Sequence, residues 1–266
     1  MTRSAADLNP LSAFLGAWFA EGPPSIALLD ADARARGLAT GGGAPLRFVS
    51  PGGSPLAYEE RAFLAGEVET RPDNRHDLFN ALIWLFFPRA KAAMNRRHHE
   101  ELRAARARGD GRRGAVRDAL TQFDECGVIV AGSRPDLWRS LREHRWREVF
   151  VERREELTAT TCFIVFGHAS HDLLAAPFPG LCGKALFVEL DLPPADSAKD
   201  VLHDALDRHL AGRFAHDALT PRDLQPLPLL GIPGATPASE NPAYYDDARQ
   251  FRPARTMGAG SPPGNR

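Results

Sequence analysis

Thr70-Arg71-Pro72-Asp73-Asn74-Arg75-His76-Asp77-Leu78-Phe79-Asn80-Ala81-Leu82-Ile83-Trp84 sets His, Asp and Asn side chains at the mouth of an apolar helix. From residue 78 to 87 the only polar side chain is Asn80. A helix that is apolar all round is buried on every side, and this run is too short to span a bilayer. Pro88 ends it or starts its successor, because proline cannot donate the next backbone bond. Asn74 suits the N-cap, and Asp77, three positions on, completes a capping box with Asp in place of Glu. Asn80 follows His76 by one turn, so the two share a face. A buried Asn amide without partners costs about 1–3 kcal/mol. Polar groups at the mouth of a buried helix therefore mark the place for a ligand, or else are caps.

Helical patterns extend outward from this helix over 10–20, 25–36, 58–65 (stopped by Gly66), 88–106, 135–145, 148–157 and 198–210. Residues 46–49, 161–166 and 185–190 read as strands. Segments 119–123 and 128–131 bracket Asp124-Glu125-Cys126-Gly127, a hairpin signal. A further helix begins at His171, with Ser170 as its cap. Past Pro221 prolines and turns dominate, as in an extended arm wrapping the body. The expected class is α+β, mostly helical, with a small sheet and hairpin: one domain over 1–255, its core at 45–255, and a disordered tail at 256–266.

Thr70-Arg71-x-x-Asn74-x-His76-Asp77-Leu78-Phe79-Asn80-Ala81-Leu82-x-Trp84 continues into Phe87-Pro88-Arg89-x-Lys91-Ala92-x-x-Asn95. Then come Arg117-Asp118-Ala119-Leu120-Thr121-x-Phe123-Asp124-Glu125 and Phe166-Gly167-His168-Ala169. Pro226-Leu227-Pro228-x-Leu230-Gly231-x-Pro233-Gly234 and Tyr244-Tyr245-Asp246-Asp247 close the series before Phe251-Arg252-Pro253. In this order the motifs resemble a bacterial domain-of-unknown-function family, number 3025, from about Pro45 to Arg255. The resemblance brings no activity with it. The chain departs from the family pattern at Arg75, Cys126 and Ala235-Thr236.

Composition narrows the classes. The net charge of −1 argues against a globally basic nucleic-acid binder. Only Lys91, Lys184 and Lys199 among the 33 basic residues are lysine, so arginine is the default cation of this chain and arginine clusters lose value as signals. Cys126, Cys162 and Cys182 are too few and too scattered for a disulfide framework or a cysteine zinc site. The apolar patch at 11–20 lacks a basic run and reads as a docking helix rather than a signal peptide, so a cytoplasmic protein without a membrane anchor is expected.

Two constellations carry chemistry. One is His76 and Asp77, Asn80, Asp118, Asp124 and Glu125, and His168 and His171. Imidazole with carboxylate suits a divalent metal that activates water, and equally suits a metal-free acid–base pair. The other is basic: ten Lys or Arg against three acids from Arg89 to Arg117, with Arg89, Arg96 and Arg103 on one helical face beside His98 and His99. No aromatic residue interleaves them, so a stacking platform for single strands is missing. The leading expectation is a hydrolase, metal-assisted or not, acting on a small or phosphate-containing anionic substrate. His76, Asp77, Asn80, Asp118, Asp124 and His168 would carry the chemistry, and Arg71 or Arg117 would hold the anion. The alternative is a non-enzymatic binding protein whose polar motifs are caps and buried networks, with the arginine face as a weak nucleic-acid contact.

Overall fold

The computed structural model describes residues 10–109, 112–192 and 199–254, and its architecture is α+β, mostly helical. In chain order come α1 (Pro10–Trp18), α2 (Ile26–Ala35), β1 (Arg47–Val49), α3 (Tyr58–Ala65), β2 (Glu67–Glu69), α4 (Arg75–Phe86) and α5 (Pro88–Ala107). They are followed by α6 (Ala115–Cys126), β3 (Gly127–Gly132), α7 (Pro135–Arg142), a π-turn at Glu148–Glu152, α8 (Arg154–Thr160) and β4 (Thr161–Val165). Then come α9 (His168–Leu173), β5 (Cys182–Glu189), α10 (Lys199–His216) and β6 (Gln225–Pro228). The tail after Arg255 lies outside the described residues.

Local chemistry sets the ends of these helices. Ser25 caps α2 by accepting from the Leu28 amide, and Asn74 caps α4 by accepting from the Asp77 amide at 3.0 Å. Gly66 takes the left-handed conformation that stops α3. The expected capping box at Asn74 is only half present, because the Asp77 carboxylate turns to the backbone and guanidinium of Arg71 instead. Every residue of α4 from Leu78 to Phe86 is buried, as its apolar circumference requires.

A four-stranded sheet in the order β4-β3-β5-β6 runs through the centre. β3 pairs parallel with β5, while the pairs β3–β4 and β5–β6 are antiparallel. Both faces are covered, so β3 and β4 are buried along their whole length and β5 from Ala185 to Val188. Ile129, Ala131, Ile164, Phe166, Leu186 and Val188 pack against α5, α6 and α10. Val128, Val130, Phe163 and Phe187 meet Trp138, Phe150 and the C-terminal arm, which contributes Leu227, Leu229, Tyr245 and Phe251. The arm is fastened where Trp146 Nε1 donates to the Arg252 carbonyl at 2.8 Å. A third apolar cluster joins α2, α3 and α4 to the small parallel pair β1–β2. Among the described residues no helix is long and apolar enough to cross a membrane.

The expected hairpin across Asp124–Gly127 is not formed. Residues 115–126 are helical because Val116, Ala119, Leu120 and Phe123 recur at the helical period and face the core. The acidic turn signal is the last turn of α6, and Gly127 opens β3 directly. α9 also starts three residues before its expected beginning, with Gly167 in the N-cap position, so Ser170 lies inside the helix and caps nothing.

Phe123 and Phe166 pack with ring centroids 4.9 Å apart, and Phe214 of α10 closes on Phe123 at 5.5 Å. Phe123→Ala should cost about 3–5 kcal/mol in urea unfolding, with an unchanged slope in denaturant. A loss under about 1 kcal/mol would mean that this junction of sheet and helices is not a packed core.

Candidate functional site

Three chain segments meet at a cavity of about 610 Å³. The first turn of α4 supplies His76, the last turn of α6 supplies Asp124 and Glu125, and the first residue of α9 is His168. Their approach depends on Gly167. A Cβ there would stand 2.4 Å from Cys126 Cα and 2.5 Å from the Glu125 carbonyl oxygen. Only a residue without a side chain lets the β4–α9 turn lie on the end of α6.

The two imidazoles meet at Nε2, 3.1 Å apart. His168 Nε2 also lies 3.6 Å from Glu125 Oε2, and one ligand atom from each of the three residues falls within 4.8 Å of the others. Bonds of about 2.0–2.1 Å to a shared ion would make these separations subtend about 100° and 120°, on either side of the tetrahedral angle. Both separations from His168 Nε2 thus match a divalent cation of zinc type. The other nitrogen of His168, Nδ1, is buried without a hydrogen-bond partner and faces Asp124 Oδ1 at 3.8 Å, too far for a direct bond.

Behind His168 lies a buried ion pair. Lys91 Nζ donates to Asp124 Oδ1 at 2.5 Å and to Asn80 Oδ1 at 3.0 Å, and stands 5.3 Å over the Trp84 ring. Burial alone would raise the Asp124 pKa, but the Lys91 ammonium and His168 together outweigh it and hold the carboxyl well below its ordinary range. Lysine can only donate, so Asn80 must turn its oxygen to Lys91 and its NH₂ elsewhere. That NH₂ donates to the Tyr58 hydroxyl at 2.7 Å. The hydroxyl oxygen is an acceptor there, which leaves its own proton to donate into the cavity that Tyr58 lines. Tyr58 is 37% exposed as a whole, but desolvation of its hydroxyl end, together with the charges of Glu59 and Asp124, raises its pKa and keeps that proton in place.

Of the residues expected from sequence, His76, Asp77, Asn80, Asp124, His168 and Arg71 line the cavity. Asp77 and Arg71 are committed to each other: two guanidinium nitrogens reach the carboxylate at 2.7 and 2.9 Å, and Arg71 holds the Asp77 pKa down against the effect of burial. Asp118 does not join them. It precedes Asp124 by six residues, which at about 100° per residue puts it on another face, and it meets Arg113 at 3.5 Å. Arg117 shares the face of Asp124 but lies about 10 Å up the helix and does not line the cavity. His171 is turned away, stacked on Phe79 and bonded to the Val165 carbonyl at 2.7 Å.

Tyr58, Lys91 and His98 belong to the site and are missed by sequence reasoning. Lys91, Asn95 and His98 fall at i, i+4 and i+7 of α5, one face, and all three are buried. The signal was present: a chain that defaults to arginine keeps a lysine at 91. The arginines of α5 are partnered in part by acids. Arg89 pairs with Asp204, Arg97 with Glu101 and Arg106 with Glu60, whereas Arg96 and Arg103 of the expected face form no ion pair among the described residues.

The family described as "Protein of unknown function (DUF3025)" matches residues 46–255, and the chain belongs to it. No curated protein and no solved structure matches the chain.

Lys91→Met leaves Asp124 buried without its cation and should cost about 3–5 kcal/mol, of which Asp124→Asn added to it recovers a part; equal losses in the single and double variants would deny the coupling. His171 supplies a pH test. Burial lowers its pKa to about 4, against about 6.5 when unfolded. Its neutral form therefore contributes stability that is complete above about pH 6.5 and lost as pH falls toward the folded value. In metal-free protein, His171→Gln should flatten the decline in urea stability between about pH 6.5 and 4. An unaltered decline would show that the wild-type slope has another source.

Proposed function

We propose that this member of the DUF3025 family is a metal-assisted hydrolase in which His76, His168 and Glu125 hold one divalent cation. The observation that carries the reading is the 3.1 Å approach of the two Nε2 atoms beside the Glu125 carboxylate, inside a cavity of about 610 Å³. Two nitrogens and one oxygen leave a fourth position for water, the donor set of a catalytic rather than a structural zinc. A cation held by His76, His168 and Glu125 would supply activation of water, whose pKa such an ion lowers from about 15.7 toward about 7.

The chain's own residues then divide the work. In hydrolysis the oxygen of an activated water would bond to the acyl carbon or phosphorus of the substrate as the bond to the leaving group breaks, and the proton lost by that water would depart on the leaving group. The Tyr58 hydroxyl, kept protonated and with its hydrogen free, donates to the oxygen on which charge develops. Asp124, ionised by Lys91, faces His168 Nδ1 and favours the tautomer that carries the proton there and leaves the Nε2 lone pair for the cation. Asn80 orients Tyr58, and Asp77 anchors the turn before α4 through Arg71. A cation held by these three residues would supply the positive charge for substrate binding.

Elemental analysis of the purified protein should find about one equivalent of zinc or a similar ion, the occupancy expected of a single three-ligand site. His76→Ala and His168→Ala should lose the ion while melting within a few degrees of the chelated wild type. Hydrolysis of nitrophenyl esters or phosphates should stop on chelation and return with added zinc. A protein that takes up no zinc even when supplied, or a His76→Ala variant that unfolds with no ion involved, would make His76 a core hydrogen-bonding residue and the protein a binding module rather than an enzyme.

A further inference from the structure

Beside the metal-ligand group, the same cavity is lined by Glu59 and His98. His98 is only 3% exposed, yet its Nδ1 has no partner, and its Nε2 stops 4.0 Å from Glu59 Oε1, beyond hydrogen-bond reach. Burial lowers the His98 pKa, so its ring is neutral and offers a lone pair. The other oxygen of Glu59, Oε2, is fixed by Asn95 Nδ2 at 3.0 Å, which leaves Oε1 toward His98. No described Lys or Arg forms an ion pair with Glu59. The cavity arginines are spent elsewhere: Arg61 on Glu67 and Glu69, Arg71 on Asp77, and Arg113 on Asp118. Arg113 and Arg117 lie near enough to His98 to lower its pKa further, but neither pairs with Glu59, whose Oε1 faces His98.

We propose that Glu59 and His98 form a subsite for a cationic nitrogen, an ammonium or guanidinium group carried by the substrate. A nitrogen placed about 2.8 Å from both Glu59 Oε1 and His98 Nε2 would subtend about 90° between them, near the spread of two N–H bonds of one ammonium. It would close the 4.0 Å gap, give His98 Nε2 a donor while Nδ1 carries the ring proton, and neutralise Glu59. This substrate class rests on the hydrolase reading for its role in turnover, but the subsite itself needs no metal. It also reverses the anionic substrate expected from the sequence, because Arg71 is already bound to a carboxylate and Arg117 does not line the cavity.

The test is calorimetric, on the full chain both as purified and after chelation, with n-butylammonium and butyrate as probes of matched size. Wild type should bind the cation about tenfold or more above the anion, the discrimination of one charge-assisted contact. Glu59→Gln keeps the acceptor for Asn95 and should abolish that preference with the melting point unchanged. His98→Phe should weaken n-butylammonium binding and leave butyrate where it was. Equal binding of the two probes by wild type, a preference for butyrate, or a cation preference that survives in Glu59→Gln would overturn the subsite. Absence of bound metal would overturn the hydrolase reading alone, since the probe ratio is read in chelated protein as well.

Discussion

The buried ion pair between Lys91 and Asp124 is the interaction on which the rest of the site depends. Its side chains are 3% and 13% exposed, and removing two such charges from water costs several kcal/mol each even after relaxation. What offsets this is complete use of the ammonium: a carboxylate, an amide oxygen and the face of Trp84 surround it. A well-packed apolar pair would often be as stable or more so, so stability alone gives little reason to keep the charges. What they add is connection. Through Lys91 and its partners, α5 is tied to α6 by Asp124, to α4 by Asn80 and, one bond further, to α3 by Tyr58.

That network reaches the cavity at two points of different character. At His168 it presents an ionised carboxylate behind an imidazole. At Tyr58 it presents a hydroxyl whose acceptor side is filled and whose proton is free. Neither end follows from one element. His76, Glu125 and His168 come from three helices, and Gly167 is what lets two of those helices close on each other. The sheet contributes rigidity beneath them, since β3 begins where α6 ends and β4 leads into α9.

Much of this was legible in the sequence, for reasons that can be given residue by residue. The run 78–87 reads as a buried helix because its apolar residues leave no polar face, and Asn74 and Gly66 act through short-range chemistry that tertiary context did not override. The segment 115–126 was harder. Asp124-Glu125-Cys126-Gly127 suits a hairpin, and only the apolar spacing of Val116, Ala119, Leu120 and Phe123 argues for the helix that forms. That error carried Asp118 and Arg117 into the site beside Asp124, although helical geometry separates all three. Lys91 and His98 were hidden for the opposite reason: they sit on a helix rich in arginine, and which of its faces turns inward is decided by the packing of α5 on α3, α6 and α10. Tyr58 was hidden because a helix-opening aromatic carries no local mark of the amide it will meet 22 residues later.

The central claim is that two imidazoles and a carboxylate are arranged to share one cation. X-ray absorption at the zinc edge of the zinc-loaded protein tests it most directly, because it reads the ligand shell without reference to activity. The account predicts a four-coordinate ion with two imidazole nitrogens and two oxygens at about 2.0–2.2 Å, and loss of one imidazole from the spectrum in either histidine variant. A shell of oxygens alone, a sulfur at about 2.3 Å, or a spectrum unchanged by His168→Ala would contradict it.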